Sequence, residues 1–381
     1  MKRDVFESEH EEFRTAVRQF VARELAPHAS IHREQKGIGR GPWRAAGEQG
    51  FLGFMMPERF GGGGINDFRF NAVFGEELAT LAYGYASAFG LNLDVMSPYL
   101  LDFTNEEQKH RWIPKFCTGE LIVALAMTEP GAGSDVAALT TNAKRRNGGW
   151  VLNGSKIFIT NGAVADLVIV AATTDSVKKA RGLTLFAVEA QTPGFARGKK
   201  LDKVGQPEVD ATELFLDDVE VSDANVIGDV DAGFGYMMKG LAQERLSVAI
   251  AAVADGYAVF EETLRYVKER SAFGQAIGSF QHSRFQMATM WTELDVARSY
   301  VDACLKSHVF GELDGVTAAK AKYVATETEN RVLDGCVQLF GGYGYMKEYR
   351  VARAWMDGRV TRIFAGTNEI MREVIGRGLG L

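Results

Sequence analysis

Two short segments near the middle of the chain carry residue types suited to holding a flat or anionic ligand. In Met127–Asp135 two glycines flank an alanine and Ser134 follows, so backbone N–H groups can approach a ligand closely. In Lys156–Gly162, Phe158 can stack on a planar ligand while the hydroxyl of Thr160 bonds the ligand's edge. The first segment alone is a weak signal, because glycine-rich turns are common and the third glycine of a dinucleotide fingerprint is missing.

Two further segments lie in the last third of the chain. Arg270 ends a helical pattern and could hold a pyrophosphate with two hydrogen bonds, although an isolated arginine at a helix end is more often a solvated charge. Gln338–Gly342 runs from a helical pattern into glycines, and the turn Ile363–Glu369 has Ala365 at its centre. These segments extend the candidate ligand site over most of the sequence.

The hydrophobic spacing predicts which elements position these segments. Helical spacing is expected in residues 1–120, alternation with a period of two in residues 121–232, and helical spacing again in residues 233–381. The first helix is expected to begin at Ser8 with a capping box to Glu11, and residues 214–221 to form a late strand pair. The sequence therefore predicts an α+β, mostly α, protein with an N-terminal helical domain, a central β-barrel or sandwich domain and a C-terminal four-helix bundle.

Composition excludes several other classes. A net charge of -6 without a long basic run argues against a nucleic-acid binder. No stretch approaches the roughly 20 apolar residues of a membrane span, and the N-terminus does not resemble a signal peptide, so a cytoplasmic protein is expected. The three cysteines and six histidines lack the spacing of a disulfide framework or a metal site.

The four segments, in this order and over these distances, resemble the acyl-CoA dehydrogenase family over nearly the whole chain. The run Gln243–Leu246 is most similar to the long-chain acyl-CoA dehydrogenase branch. The resemblance implies an FAD enzyme that acts on an acyl-CoA and passes electrons to an electron-transfer flavoprotein. It also implies a homo-oligomer, expected to be a tetramer built as a dimer of dimers, in which FAD is shared across a subunit contact.

Site residues carried over from the resemblance fall into two groups. Those expected at FAD are Leu125, Ala126, Met127, Thr128, Gly133, Ser134, Phe158, Ile159, Thr160, Arg270, Phe273, Gln281, Gln338, Leu339, Gly341, Gly342, Thr367, Asn368 and Glu369. Those expected at the acyl-CoA are Ser134, Arg245, Ala365 and Gly366.

The catalytic base is the least ordinary feature of this sequence. Ala365 stands where many family members carry the catalytic glutamate, but its backbone N–H can still hydrogen-bond the thioester carbonyl. Other members carry the base in a Glu-Arg-Leu context, which Glu244-Arg245-Leu246 matches. Taken alone, a helical glutamate usually pairs with a surface lysine or arginine. Its coincidence with Ala365 makes Glu244 the expected base for removal of the substrate's α-proton.

Substrate length and two rival functions stay open on the sequence. Gly90 and Pro98 could kink a helix that lines the acyl pocket, leaving room for a medium-to-long or branched chain, or could separate two helices. A flavin oxidase or monooxygenase on the same fold is an alternative. The second alternative is a non-catalytic acyl-CoA-binding homologue, which Ala365 alone would suggest.

Overall fold

The computed structural model describes residues 3–381, and its first part is helical. The first helices are α1 (Ser8–Phe20), α2 (Ala29–Gln35), α3 (Gly41–Glu48), α4 (Phe68–Leu81), α5 (Tyr83–Gly90), α6 (Ser97–Asp102) and α7 (Glu106–Cys117). The predicted capping box from Ser8 to Glu11 is wrong by one residue. Glu7 occupies the N-cap of α1, and its backbone N–H donates to Nδ1 of His10 at 3.1 Å.

The middle of the chain forms a mainly antiparallel sheet. Its strands are β1 (Val123–Ala126), β2 (Asn142–Arg146), β3 (Gly149–Thr160), β4 (Leu167–Thr173), β5 (Leu183–Glu189), β6 (Phe195–Lys200), β7 (Ala211–Ser222) and β8 (Val226–Ile227). They follow the order β6-β7-β3-β2-β4-β5-β8, and β1 pairs with β4 in parallel. Alternate residues of β1, β4 and β5 pack into two different cores. Burial of both faces explains why residues 167–170 are all apolar.

The predicted strand pair in residues 214–221 is in fact the single strand β7. Its pairing register with β3 shifts between Leu216 and Val219, and Asp218 adopts a positive φ of 49°. This irregularity moves the buried positions by one residue, from Leu214 and Leu216 to Val219 and Val221. A β-bulge therefore produced the phase change that resembles a turn in the sequence.

Long helices return after β8. They are α8 (Gly233–Glu269), α9 (Gln281–Val309), α10 (Gly315–Phe340), α11 (Arg350–Gly358) and α12 (Asn368–Gly378), with the short strands β9 (Ser271–Ala272) and β10 (Gln275–Ala276) between α8 and α9. One hydrophobic core joins the N-terminal helices to α8, α9 and α10. The arrangement confirms the predicted helix, sheet and helix order.

The segment around Gly90 and Pro98 is not a break between two separate helices. The chain passes from α5 through a π-helical stretch, Leu91–Met96, directly into α6. A π-helical turn widens the helix locally and changes which side chains face its neighbours. This stretch packs against α8 close to Glu244, because the amide of Gln243 donates to the carbonyl oxygen of Asp94 at 2.6 Å.

Within residues 3–381, no helix is both long enough and apolar enough to cross a membrane.

Candidate active site

Glu244 is buried in the interior of α8, with 8 % of its surface exposed. Its Oε1 atom has no hydrogen-bond partner among residues 3–381, although nearly all buried polar atoms in proteins have one. Burial raises the pKa of Glu244 to about 7, although the neighbouring guanidinium of Arg245 opposes the shift. The expected alternative, a surface ion pair, is therefore wrong for this residue.

Gly240 lies one helical turn before Glu244 and makes room for its carboxylate. A β-carbon built on Gly240 would lie 2.8 Å from Oε1 of Glu244 and 3.7 Å from Cε2 of Tyr99. The Tyr99 hydroxyl is buried and has no partner within the described part of the chain. Burial, and then the charge of Glu244, raise the pKa of this phenol well above its ordinary value. The carboxylate thus lies against a glycine, with the ring of Tyr99 close to the same glycine.

The turn that contains Ala365 is held close to this part of α8. A β-carbon built on Gly366 would lie 3.9 Å from Nη2 of Arg245. Ala365 adopts a φ of 52°, a left-handed conformation that is uncommon for a residue other than glycine. Among residues 3–381, no acceptor is found for the backbone N–H of Ala365 or Gly366. These two donors are available to a ligand.

Lys322 anchors the turn from inside the protein, and sequence reasoning missed it. The side chain is fully buried, and Nζ donates to the carbonyl oxygen of Gly366 at 2.9 Å and to Oδ1 of Asn368 at 2.8 Å. Burial, followed by repulsion from Arg245, lowers the pKa of Lys322 to about 8. The signal in the sequence was a lysine at helical spacing from Ala318 and Ala325 on an apolar face of α10.

Asn368 completes this anchor. Its Nδ2 donates to Oγ1 of Thr326 at 3.0 Å and to Oε1 of Glu327 at 2.8 Å. Thr367 caps the helix that follows, because its hydroxyl accepts from the backbone N–H of Ile370. Glu369 is exposed. Side chains of α10 therefore fix the Gly366 carbonyl and the Asn368 side chain of the turn.

The two glycine and aromatic segments of the sheet lie side by side. The backbone N–H of Ile157 donates to the carbonyl oxygen of Thr128 at 2.9 Å. A buried ion pair, 2.8 Å between Lys156 Nζ and Glu129 Oε1, links the same segments. Although burial alone would raise it, the pKa of Glu129 falls to about 2 because of Lys156 and hydrogen bonds from Thr140 and Thr141. Spacing in the sequence does not predict this pair, because its two members lie 27 residues apart.

Exposure separates the predicted ligand residues of these segments into two kinds. Phe158 is 63 % exposed and has a φ of 60°, so its ring stands out from the sheet. Gly133 and Ser134 are exposed, and Met127, Thr128 and Thr160 are partly exposed. Ala126 and Ile159 instead point into the core of the sheet, and Leu125 is buried. These last three could reach a ligand only through their backbone atoms.

The C-terminal candidates form a groove of their own. Arg270, Leu339, Gly341, Gly342 and Tyr343 line a cavity of about 400 Å³ between the end of α8 and the end of α10. The guanidinium of Arg270 lies 5.9 Å from the ring centre of Tyr343. No residue of the sheet segments lines this groove. Gln281 and Gln338 are exposed, and Phe273 is 95 % exposed.

Family models match nearly the whole chain. The N-terminal domain of acyl-CoA dehydrogenase matches residues 7–120, the middle domain residues 124–219 and the C-terminal domain residues 231–380. The chain therefore belongs to the acyl-CoA dehydrogenase family, and it is an FAD-dependent oxidoreductase that dehydrogenates an acyl-CoA.

Individual relatives agree with this assignment. The chain is 44 % identical to the mitochondrial long-chain specific acyl-CoA dehydrogenase of Mus musculus over 377 residues, which cover 98 % of this chain and 87 % of the relative. The crystal structure of an acyl-CoA dehydrogenase from Geobacillus kaustophilus is 43 % identical, with a TM-score of 0.98 and full coverage of both chains. A structure described as the FAD complex of PigA matches with a TM-score of 0.94 and 28 % identity, again over both full chains.

The residues present suit this cofactor. The exposed ring of Phe158 at a left-handed backbone position offers a stacking surface, and the glycines at 341 and 342 have nothing within 4 Å of where a β-carbon would lie. Arg270 supplies a positive charge beside those glycines. A planar ring system and a pyrophosphate therefore each find a matching surface.

Proposed function

We propose that Glu244 is the catalytic base, which removes the α-proton of a medium-to-long-chain acyl-CoA during its conversion to the trans-2-enoyl-CoA. The observation that carries this proposal is the buried carboxylate with an unpartnered oxygen, next in sequence to Arg245, whose guanidinium lies close to Gly366 of the Ala365 turn. A pKa of about 7 suits a general base at neutral pH, because the carboxylate is ionised there yet basic enough to accept a weakly acidic proton.

The Ala365 turn supplies the second half of the chemistry. A proton next to a thioester becomes acidic when its carbonyl oxygen is hydrogen-bonded, because negative charge develops on that oxygen in the transition state. The free backbone N–H groups of Ala365 and Gly366 are suitable donors, and an alanine side chain does not affect them. Arg245 adds positive charge beside the turn. Glu244 therefore acts as the base, and the turn stabilises the negative charge on the thioester oxygen.

The cofactor contacts are part of the same proposal. Bound FAD supplies the oxidant, which accepts the β-hydrogen together with its electron pair. Phe158 would stack on the ring system and Thr160 would bond its edge, with Ser134 between cofactor and substrate. Leu125–Thr128, Gly133 and Ile159 would line the flavin, and Thr367–Glu369 would close over another part of FAD.

A substrate panel tests the function. Anaerobic addition of octanoyl-CoA or palmitoyl-CoA to the FAD-loaded protein should bleach its yellow colour, and butyryl-CoA should react more slowly. Reoxidation should be fast with an electron-transfer flavoprotein, our proposed acceptor, and slow with oxygen. Absence of bleaching with every acyl-CoA would contradict the proposed reaction, and a clear preference for butyryl-CoA would contradict the proposed chain length.

Gly240→Ala is expected to slow turnover by about tenfold or more while keeping the fold. Alanine favours a helix interior by roughly 1 kcal/mol over glycine, so the melting temperature should stay the same or rise. The new β-carbon would displace the carboxylate of Glu244, which now lies 2.8 Å from that position, and small misplacements of a reacting group are costly. Gly235→Ala is the matched control on α8, because nothing lies within 4 Å of that site. Equal turnover in both variants would argue against this role.

Arg270→Gln is expected to weaken FAD retention at least tenfold without loss of secondary structure. We infer that the groove of Arg270, Gln338, Leu339, Gly341 and Gly342, with Phe273 and Gln281, binds the FAD of a neighbouring subunit in a homotetramer. Its separation from the sheet segments supports this. Loss of a charge-assisted contact to a pyrophosphate would be measured as the FAD dissociation constant by fluorescence. Lys268→Gln, two residues away and exposed, is the control. A monomer in sedimentation with full FAD affinity would contradict the shared site.

A further inference from the structure

A second buried carboxylate lies near Glu244 and takes no part in the proposed reaction. Asp94, in the π-helical stretch Leu91–Met96, is 7 % exposed. Its Oδ1 accepts from Nδ2 of Asn71 at 2.8 Å. The hydroxyl of Ser247 donates to the carbonyl oxygen of Gln243 at 3.2 Å and also lies close to the carboxylate of Asp94. Because Ser247 follows Glu244 by three residues, it lies about 4.5 Å further along α8 and on a neighbouring part of the same face.

Contacts place Asp94 on the wall between the π-helical stretch and α8. Its carbonyl oxygen accepts from the amide of Gln243, the residue that precedes Glu244. A β-carbon on Gly90 would lie 3.3 Å from Oδ2 of Asp94, so the carboxylate lies over a residue without a side chain. Gly90, Gln243 and Ser247 are themselves partly exposed, so this buried cluster is not sealed on every side.

Among the described residues, Asp94 has no cationic partner. No lysine or arginine within residues 3–381 forms an ion pair with it. On α9, His308 faces the cluster and bonds to Oε1 of Gln243 at 3.1 Å, but burial lowers the pKa of this histidine and favours its neutral form. On α8 the charged residues that follow Gln243 directly are Glu244 and Arg245, both buried. Burial raises the pKa of Asp94 itself to about 6.

A second polar atom in the cluster also lacks a partner. Asn71 is 2 % exposed, and its Oδ1 accepts no hydrogen bond from the described residues. A buried carboxylate without a cation and an unpaired amide oxygen both carry a desolvation cost that a ligand donor would offset. An unbroken run of methylene groups would leave that cost in place.

We propose that Asp94, with Ser247 and Asn71, forms a polar subsite for an acyl-CoA whose chain carries a hydrogen-bond donor, a hydroxyl or an amine, several carbons beyond the thioester. This inference rests on the proposed function, because it requires the acyl chain to pass Glu244. The rise of about 4.5 Å from Glu244 to Ser247 spans about three to four methylene groups, which places the donor near the fifth or sixth carbon. Asp94 is then a specificity-determining residue and has no role in proton removal.

Matched substrates test the subsite. Acyl-CoAs of five to eight carbons that end in a hydroxyl or an amine are compared with those that end in a methyl group of equal length. For one of the two donor series, kcat/KM is expected to be at least about tenfold higher than for the methyl series, since hydrogen bonds to charged groups discriminate by such factors. Calorimetry with the product enoyl-CoAs should give the same ranking of dissociation constants. The series with the higher kcat/KM shows whether the subsite prefers a hydroxyl or an amine.

Asp94→Leu should reverse the preference for donor-bearing over methyl-terminated substrates. If the leucine variant fails to fold, Asp94→Asn replaces it and should reduce this preference at least about threefold. Asp102→Asn is the control, because this exposed aspartate ends α6 and pairs with Lys239 on the surface. Equal kcat/KM for donor and methyl substrates in the wild-type protein would overturn the subsite and leave the proposed function intact. If no acyl-CoA bleaches the flavin, the proposed function itself fails.

Discussion

Replacing Glu244 by glutamine is expected to lower turnover by about 10³-fold while FAD and acyl-CoA still bind. The amide keeps the size of the side chain but cannot accept the α-proton, and loss of a general base typically costs two to four orders of magnitude. Steady-state turnover, FAD content and acyl-CoA affinity are measured on the same preparation. Glu261→Gln, at an exposed position of α8, should behave as the wild type.

Comparing turnover of Ala365→Gln with that of Glu244→Gln shows which of the two positions carries the base. The Ala365→Gln variant keeps the backbone N–H groups of the turn and should change turnover little. If Ala365→Gln abolished activity while Glu244→Gln left it near the wild-type level, the base would have to be sought elsewhere.

Stability should respond to Glu244→Gln in the opposite direction to activity. The carboxyl pKa rises from 4.5 to about 7 in the folded protein. Between those pH values the native state holds a proton that the unfolded chain releases, so the free energy of unfolding falls as pH rises through this window. The full effect is about 3 kcal/mol. The melting temperature of Glu244→Gln should therefore exceed that of the wild type at pH 8, with little difference at pH 4.

Lys322→Met is expected to reduce kcat by about 10²-fold with a smaller change in acyl-CoA affinity. Its loss would leave the carbonyl oxygen of Gly366 without its donor, at about 1–3 kcal/mol, and would remove the shorter of two hydrogen bonds to Oδ1 of Asn368. The turn would then relax, and its N–H donors would no longer meet the thioester oxygen in the transition state.

Lys320→Met provides the matched control for Lys322, because it removes an exposed lysine from the same helix. A purely structural role for Lys322 would lower the melting temperature and leave kcat per bound FAD unchanged. The split between kcat and affinity therefore distinguishes positioning of the turn from general stability.

The local sequence pattern was sufficient to predict the order of helices and strands and to single out the Ala365 turn. Period and composition indicated helices, then strands, then helices, because helix and strand faces bury apolar residues at different spacings. The Glu-Arg-Leu run and Ala365 pointed to Glu244 through resemblance to a family, and the buried carboxylate supports that choice.

Long-range pairing lay beyond the sequence. Glu129 and Lys156, or Lys322 and Gly366, meet only after distant elements pack, and no local spacing encodes the contact. The bulge at Asp218 was misread because a bulge and a turn both shift the alternation of buried residues. The glycine at 240 gave no signal, since its importance depends on where a neighbouring side chain lies.

Proton removal can be measured separately from oxidation with an acyl-CoA whose β-carbon is replaced by sulfur. Such a thioether can lose its α-proton but has no β-hydrogen to transfer. In deuterated water the FAD-loaded wild type and Ala365→Gln should introduce deuterium at the α-carbon, detected by mass spectrometry. Glu244→Gln should slow this exchange by at least about 10²-fold. Exchange at the wild-type rate in Glu244→Gln would contradict the assignment of Glu244 as the base.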